Sequence, residues 1–146
     1  MKKILDKIKN TKILGIIGNI VVIISLFMAT VVVESKTIGF KASIQYISGD
    51  GKFILVLSVI NLIIIFADKI SPTFFKGLTN IKLTVIPTLI EIIILINFTV
   101  KSGNISEYDY ASWHWGIGFY LMWIGVILSM ICPFIYKEEP KNELSK

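Results

Sequence analysis

One carboxyl group, that of Glu91, lies near the middle of an apolar run that extends from Ile81 to Val100. A carboxylate is poorly solvated in such surroundings, so we expect Glu91 to be neutral at pH 7 and to hydrogen-bond within the protein. Such a group can hold a proton or a cation in a transporter. It can also join helices as a hydrogen-bonding group, and we favour this structural role because no second acid or base lies at the same depth.

The expected partners of Glu91 are polar residues at a similar depth in three other apolar runs. Asn61 shares one helix face with Ser58, three residues before it, and that face is expected to point inward. The candidate polar cluster consists of Glu91, Asn61, Ser25 and Tyr120. Within it, Asn61 and Tyr120 are the first candidates for a hydrogen bond to Glu91.

Other residue types that support catalysis or metal binding are isolated. His114 is the single histidine and lies between Trp113 and Trp115, a pattern typical of an aromatic belt at a water–lipid boundary. The single cysteine, Cys132, has no base nearby in the sequence and is interpreted as a packing residue. Because neither a triad, nor paired carboxylates, nor a metal-ligand spacing is recognisable, we predict no catalytic residues, no cofactor, no metal and no enzymatic activity.

The composition indicates a membrane protein. Apolar residues make up 54% of the 146-residue chain and the mean hydropathy is +0.75, more than a soluble domain of this size requires. All fifteen basic residues are lysine, and the net charge is +5. Without arginine there is no bidentate group for phosphate, so nucleic acid is not an expected partner.

Four apolar runs position these residues, at about 13–33, 52–69, 81–100 and 113–136. Each is read as one membrane span, which predicts an all-α membrane protein: an antiparallel bundle of four transmembrane helices in a single domain, 1–146. Apolar residues alternate with polar or small ones from Ile38 to Tyr46, which predicts a small strand-like cap outside the membrane.

Small residues follow one stripe of the fourth apolar run at intervals of seven and four residues. They are Gly118, Gly125 and Ser129. Such a stripe allows close backbone approach, so it is a candidate helix-packing surface, either within the chain or between two copies.

Lysine counts in alternate segments predict the orientation. Eleven lysines fall in the two tails and the middle connection, and four in the other two connections. This bias predicts a multi-pass protein of the plasma membrane with both termini in the cytoplasm.

The expected function is that of a non-catalytic accessory, regulatory or immunity-type protein. The alternative is a small transporter or channel subunit that uses Glu91. Expected partners are the lipid bilayer and either a membrane protein or a second copy of the chain.

Overall fold

A computed structural model describes residues 13–70, 81–103 and 111–135, apart from the side chains of 68–70 and 103. Within these ranges the chain forms four helices and three strands. In chain order they are α1 (Ile13–Leu26), β1 (Ala29–Ser35), β2 (Lys41–Gln45), α2 (Gly51–Ile70), α3 (Val85–Gly103), β3 (Ala111–Trp115) and α4 (Ile117–Ile135). Short 3-10 turns, Tyr46–Ser48 and Ile81–Thr84, precede α2 and α3.

The three strands form one antiparallel sheet in the order β2-β1-β3. In the centre of the sheet, Val32 of β1 is aligned with Ser43 of β2 on one side and with His114 of β3 on the other. The turn between β1 and β2 contains Gly39 at φ 63°, a backbone conformation that favours glycine. The sheet lies at one end of the helices because α1 leads into β1, and β3 is joined to α4 through Gly116 alone.

The helices surround one interior. Each packs against two neighbours, in the order α1, α2, α3 and α4, and α4 packs against α1 in the most extensive contact. Two apolar clusters occupy this interior. The cluster near the sheet contains Val22, Leu26, Ile54, Leu95, Met122 and Val126, together with Tyr46. The cluster at the other end contains Ile65, Ile81 and Cys132, with Leu14 and Ile16 packed against it.

Aromatic rings join the sheet to the helices. Trp115 of β3 stacks on Phe119 of α4 with ring centroids 4.0 Å apart, and its edge meets Phe98 of α3 at 5.9 Å. Phe98 in turn contacts Tyr46, with ring centroids 4.3 Å apart. These ring contacts attach the sheet to α3 and α4.

The expected all-α bundle of four transmembrane helices is wrong, because the fold is mixed: four helices and a three-stranded sheet in the described ranges. The first expected span, 13–33, contains a helix of only 14 residues, and from Ala29 the chain is a strand. The fourth, 113–136, begins within β3. The chain is a strand at the end of the first expected span because it has consecutive valines there, and β-branched side chains favour a strand as readily as they suit an apolar helix.

The expected multi-pass placement in the plasma membrane, with both termini in the cytoplasm, is also unsupported. Of the described helices, two are long and apolar enough to cross a bilayer, Ile81–Ser102 and Ile117–Ile135. The apolar stretches Ile13–Leu26 and Gly51–Ala67 are shorter. At 1.5 Å per residue, a 14-residue helix reaches about 21 Å, less than the ~30 Å hydrocarbon core. Both termini lie outside the described residues.

Candidate functional site: a polar layer inside the helices

Two hydrogen bonds connect α2 to α3 in the middle of the interior. Ser58 Oγ donates to Glu91 Oε1 at 2.9 Å, and Asn61 Nδ2 donates to Thr88 Oγ1 at 3.1 Å. The spacing of three residues is the same on both helices, and the helices are antiparallel. The two bonds are therefore adjacent rungs of one ladder, and all four residues have no exposed surface.

The hydroxyl of Thr88 determines the direction of the second rung. Thr88 Oγ1 donates its proton to the backbone carbonyl of Thr84 at 2.7 Å, so it can only accept from Asn61. The amide nitrogen of Asn61 must face Thr88, and the amide oxygen is left to face elsewhere.

Polar residues of α1 and α4 lie at the same level. Asn19 Nδ2 donates to the Gly15 carbonyl of its own helix at 2.7 Å. Ser129 of α4 faces α1 closely: a Cβ atom added at Gly18 would lie 2.5 Å from Ser129 Oγ. Asn19 and Ser129 are at most 2% exposed.

These residues form one polar layer between the two apolar clusters. On each helix one or two buried polar residues stand between a member of one cluster and a member of the other, and for α3 the second cluster is reached at Ile81 in the 3-10 turn before it. The polar layer is here defined as Asn19, Ser58, Asn61, Thr88, Glu91 and Ser129. It joins all four helices at mid-height.

Four oxygens of the polar layer, one from each helix, have no hydrogen-bond partner among the described residues. They are Asn19 Oδ1, Asn61 Oδ1, Glu91 Oε2 and Ser129 Oγ. A buried polar atom without a partner is unfavourable by ~1–3 kcal/mol, so four at one level distinguish this layer from an ordinary helix contact.

The structure brings together some of the predicted site residues and separates others. Glu91 and Asn61 are on adjacent rungs. Ser25 lies nearer the sheet and donates to the Val22 carbonyl of its own helix at 2.6 Å. Tyr120 is 56% exposed, on the outside of α4, where its ring meets that of Phe119. The contribution of Thr88 was missed, although it stands three residues before Glu91, the spacing that links Ser58 to Asn61.

The small-residue stripe faces α1. An added Cβ at Gly118 would lie 2.9 Å from the carbonyl oxygens of Ser25 and Ala29, and one at Gly125 would lie 2.8 Å from that of Gly18. Ser129, the third member, faces Gly18 as described above. Of the two alternatives for the stripe, the structure therefore uses the one within the chain.

An open pocket of about 420 Å³ lies under the sheet. Its lining includes Thr30, Tyr46, Asp50, Phe98 and Ser102. Tyr46 is 5% exposed, and its hydroxyl has no partner among the described residues. Burial, with a smaller effect of the negative charge of Asp50, raises the pKa of Tyr46 to about 12.

On the sheet, Glu34 and Lys41 form an exposed ion pair across β1 and β2, with Oε1 and Nζ 2.6 Å apart. The hydrogen bond from Lys41 and its charge hold the pKa of Glu34 below its usual value of 4.5, and the charge of His114 contributes less. In the described ranges, no three His, Cys, Asp or Glu side chains are grouped so that they could hold a metal ion.

Comparison of the chain with protein-family models, with curated proteins and with solved structures finds no match.

Proposed function

We propose that this protein is a non-catalytic interaction protein whose helical surface is in contact with lipid acyl chains. The observation that carries the proposal is the extent of apolar surface on the outer faces of all four helices. The residues of the polar layer are buried, and large apolar side chains point outward from every described helix. A protein surrounded by water normally buries the apolar side chains and exposes the polar ones.

The exposed apolar residues are numerous and continuous along the helices. Representative examples are Ile17 and Ile24 on α1, Phe53 and Val56 on α2, Ile86 and Ile93 on α3, and Ile124 and Ile127 on α4. Ile93, near the middle of α3, is 64% exposed. Apolar surface of this extent is rare on a monomeric protein in water and marks a surface that another apolar phase covers.

The burial of α3 supports lipid as that phase. Only 28% of the apolar window in Ile81–Ser102 is buried inside the structure, whereas a core helix of a water-exposed protein is mostly buried. Contact with acyl chains requires exposed apolar area and does not require four helices that cross a bilayer. The sheet carries an exposed ion pair between Glu34 and Lys41.

Quenching of tryptophan fluorescence by brominated acyl chains tests lipid contact. Trp113, Trp115 and Trp123 are replaced with phenylalanine, and one tryptophan is introduced at Ile93 in the reconstituted protein. Brominated lipid should quench the Ile93→Trp fluorescence strongly. It should leave a matched Ser43→Trp variant, at an exposed position of β2, largely unquenched. Equal emission of the Ile93 variant in brominated and ordinary lipid would exclude the proposal, as would a protein that stays monomeric in water without detergent.

A second candidate function, a small transporter or channel subunit, has one observation in its favour. The polar layer contains an ionisable group, Glu91, and oxygens from all four helices without partners. Proteoliposomes that carry the wild-type chain or Glu91→Gln would test it: a proton or cation flux that the wild type supports and the variant lacks is the expected result for this function. Equal flux in both preparations would eliminate a role of Glu91 in transport.

A further inference from the structure

The free groups of the polar layer are acceptors for the most part. The amide oxygens of Asn19 and Asn61 are fixed as the free atoms, because each amide nitrogen donates to an atom that can only accept, the Gly15 carbonyl and the Thr88 hydroxyl respectively. Glu91 Oε2 accepts when ionised, and the Ser129 hydroxyl can accept or donate. A ligand that binds these four oxygens must therefore carry a positive charge or donate hydrogen bonds.

The charge of the layer limits what such a group can be. Glu91 is the one ionisable side chain among the residues that define the layer. One carboxylate balances one positive charge, whereas a divalent ion would leave an excess charge between two apolar clusters, which is strongly unfavourable. Oxygen atoms alone are the ligands of hard cations and do not favour the softer transition metals.

We propose that the polar layer binds either a proton on Glu91 or, in its place, one small monovalent cation of the sodium type. In the first state the carboxyl is protonated. In the second the O–H bond of Glu91 breaks, the proton leaves to solvent, and the cation is held by Glu91 Oε2 and by Asn61 Oδ1 on the adjacent rung. Asn19 and Ser129 supply oxygens from the opposite helices. The inference rests on the polar layer and holds whether or not lipid covers the outer surface.

The groups facing Glu91 make the exchange specific to this residue. Ser58 of α2 donates to Glu91 and Asn61 lies on the adjacent rung, and both are neutral, as are Asn19 and Ser129, the members of the polar layer on α1 and α4. The nearest titratable groups along the interior are the Cys132 thiol in one apolar cluster and the Tyr46 phenol in the other. The Tyr46 phenol is neutral at the pH at which a carboxyl titrates, because burial raises its pKa to about 12.

Thermal unfolding of the purified full-length chain in non-ionic detergent tests the proposal. Sodium chloride is compared with choline chloride at equal ionic strength, at about pH 8 and about pH 5, on either side of the range in which a buried carboxyl titrates. Sodium should raise the midpoint temperature at the higher pH, because a ligand that binds only the folded state stabilises it. The apparent affinity should fall about tenfold for each pH unit below the protonation midpoint, since the proton competes with the cation.

Two variants and one further measurement make the result specific. Glu91→Gln should remove the sodium effect, whereas Asp50→Asn, a matched loss of an acid at an exposed position, should retain it. Titration calorimetry below the protonation midpoint, in two buffers of different ionisation enthalpy, should detect one proton released for each sodium ion bound, and above the midpoint the release should vanish. Equal midpoints in sodium and choline for the wild type at the higher pH would overturn the proposal even if Glu91→Gln fails to fold. A sodium effect that persists in Glu91→Gln would overturn it as well.

Discussion

Ser58 on α2 donates its hydroxyl proton to Oε1 of Glu91 on α3, and neither side chain has any exposed surface. This hydrogen bond links two helices at the level where the interior changes from one apolar cluster to the other. It makes Glu91 a contact between helices whatever its protonation state.

The first prediction concerns the coupling between these two residues. Glu91→Gln keeps the shape and can still accept from Ser58, so the free energy of unfolding at pH 7 should change little. Glu91→Leu leaves the Ser58 hydroxyl buried without a partner, which should cost roughly 1–3 kcal/mol. Denaturant unfolding in detergent micelles measures both variants.

A double-mutant cycle separates this contact from general loosening of the interior. Ser58→Ala combined with Glu91→Leu should show a coupling energy of about 0.5–3 kcal/mol, because the two residues share one hydrogen bond. The control pair is Ser43→Ala, at an exposed position of β2, with Glu91→Leu, and it should be additive to within ~0.5 kcal/mol. Additivity in the Ser58 pair would show that this hydrogen bond does not join the helices.

The second prediction concerns the contact between α1 and α4. At Gly18 an added methyl group would lie 2.5 Å from Ser129 Oγ and 2.7 Å from the Gly125 carbonyl oxygen. Backbone atoms cannot move aside as a flexible side chain can, so Gly18→Ala should destabilise the fold by roughly 1–3 kcal/mol.

The control for this prediction is Gly49→Ala. Its added methyl group would have no neighbour closer than the Tyr46 carbonyl oxygen at 3.9 Å. The free energy of unfolding should therefore stay within ~0.5 kcal/mol of the wild type. If both alanine variants unfold alike, α1 and α4 are not packed through Gly18.

Glu91 and Asn61 belong both to the candidate polar cluster predicted from the sequence and to the polar ladder, whereas Thr88 was not predicted. Ser58 and Asn61 are recognisable as one inward face from their spacing of three residues, and Glu91 stands out as the one acid in its apolar run. Which residue meets which depends on how far α2 and α3 are displaced along each other. The pattern of residues within one helix does not reveal that displacement. The sequence therefore predicted Asn61 or Tyr120 as the donor to Glu91, whereas in the structure the donor is Ser58.

The central strand of the sheet was harder to predict, because the first part of β1 is as apolar as the helix before it. Hydropathy does not distinguish Val31, Val32 and Val33 from the end of a membrane span, whereas their consecutive β-branched side chains do favour a strand. In β3, the clustered tryptophans are as typical of a lipid boundary as of a strand packed on helices. Strand pairing between residues some 80 positions apart, such as Val32 with His114, has no local signal.

The third prediction concerns the buried phenol of Tyr46. Its hydroxyl has no partner among the described residues, so Tyr46→Phe removes an unfavourable buried group and keeps the ring contact with Phe98. The free energy of unfolding should be unchanged or higher. Tyr46→Ala should lower it by about 3–5 kcal/mol, because the ring is part of the apolar cluster near the sheet. A large loss in Tyr46→Phe would reveal a hydrogen bond to the hydroxyl.

Alkaline titration provides an independent measurement on the same residue. With a pKa of about 12, Tyr46 in the folded protein keeps its proton at a pH where an unfolded tyrosine, with its ordinary value of 10.0, has lost it. The stability that this shift contributes is therefore complete below pH 10 and is lost as the pH rises to about 12. Phenolate absorbance should show a late-ionising tyrosine that is missing in Tyr46→Phe.

The last prediction concerns the exposed ion pair on the sheet. Lys41 holds the pKa of Glu34 below 4.5 through its hydrogen bond and its charge, so Lys41→Gln should raise the pKa of Glu34 towards 4.5. Lys36→Gln removes an equal charge from the neighbouring turn and should have little effect. Because the folded pKa is lowered, the stability from this pair is present above pH 4.5 and is lost as the pH falls through the folded value.

Carboxyl NMR titration of Glu34 measures the shift, and added salt should reduce it, since both side chains are exposed. If the titration of Glu34 is the same in Lys41→Gln and in the wild type, the two strands are not held in the register that aligns Glu34 with Lys41.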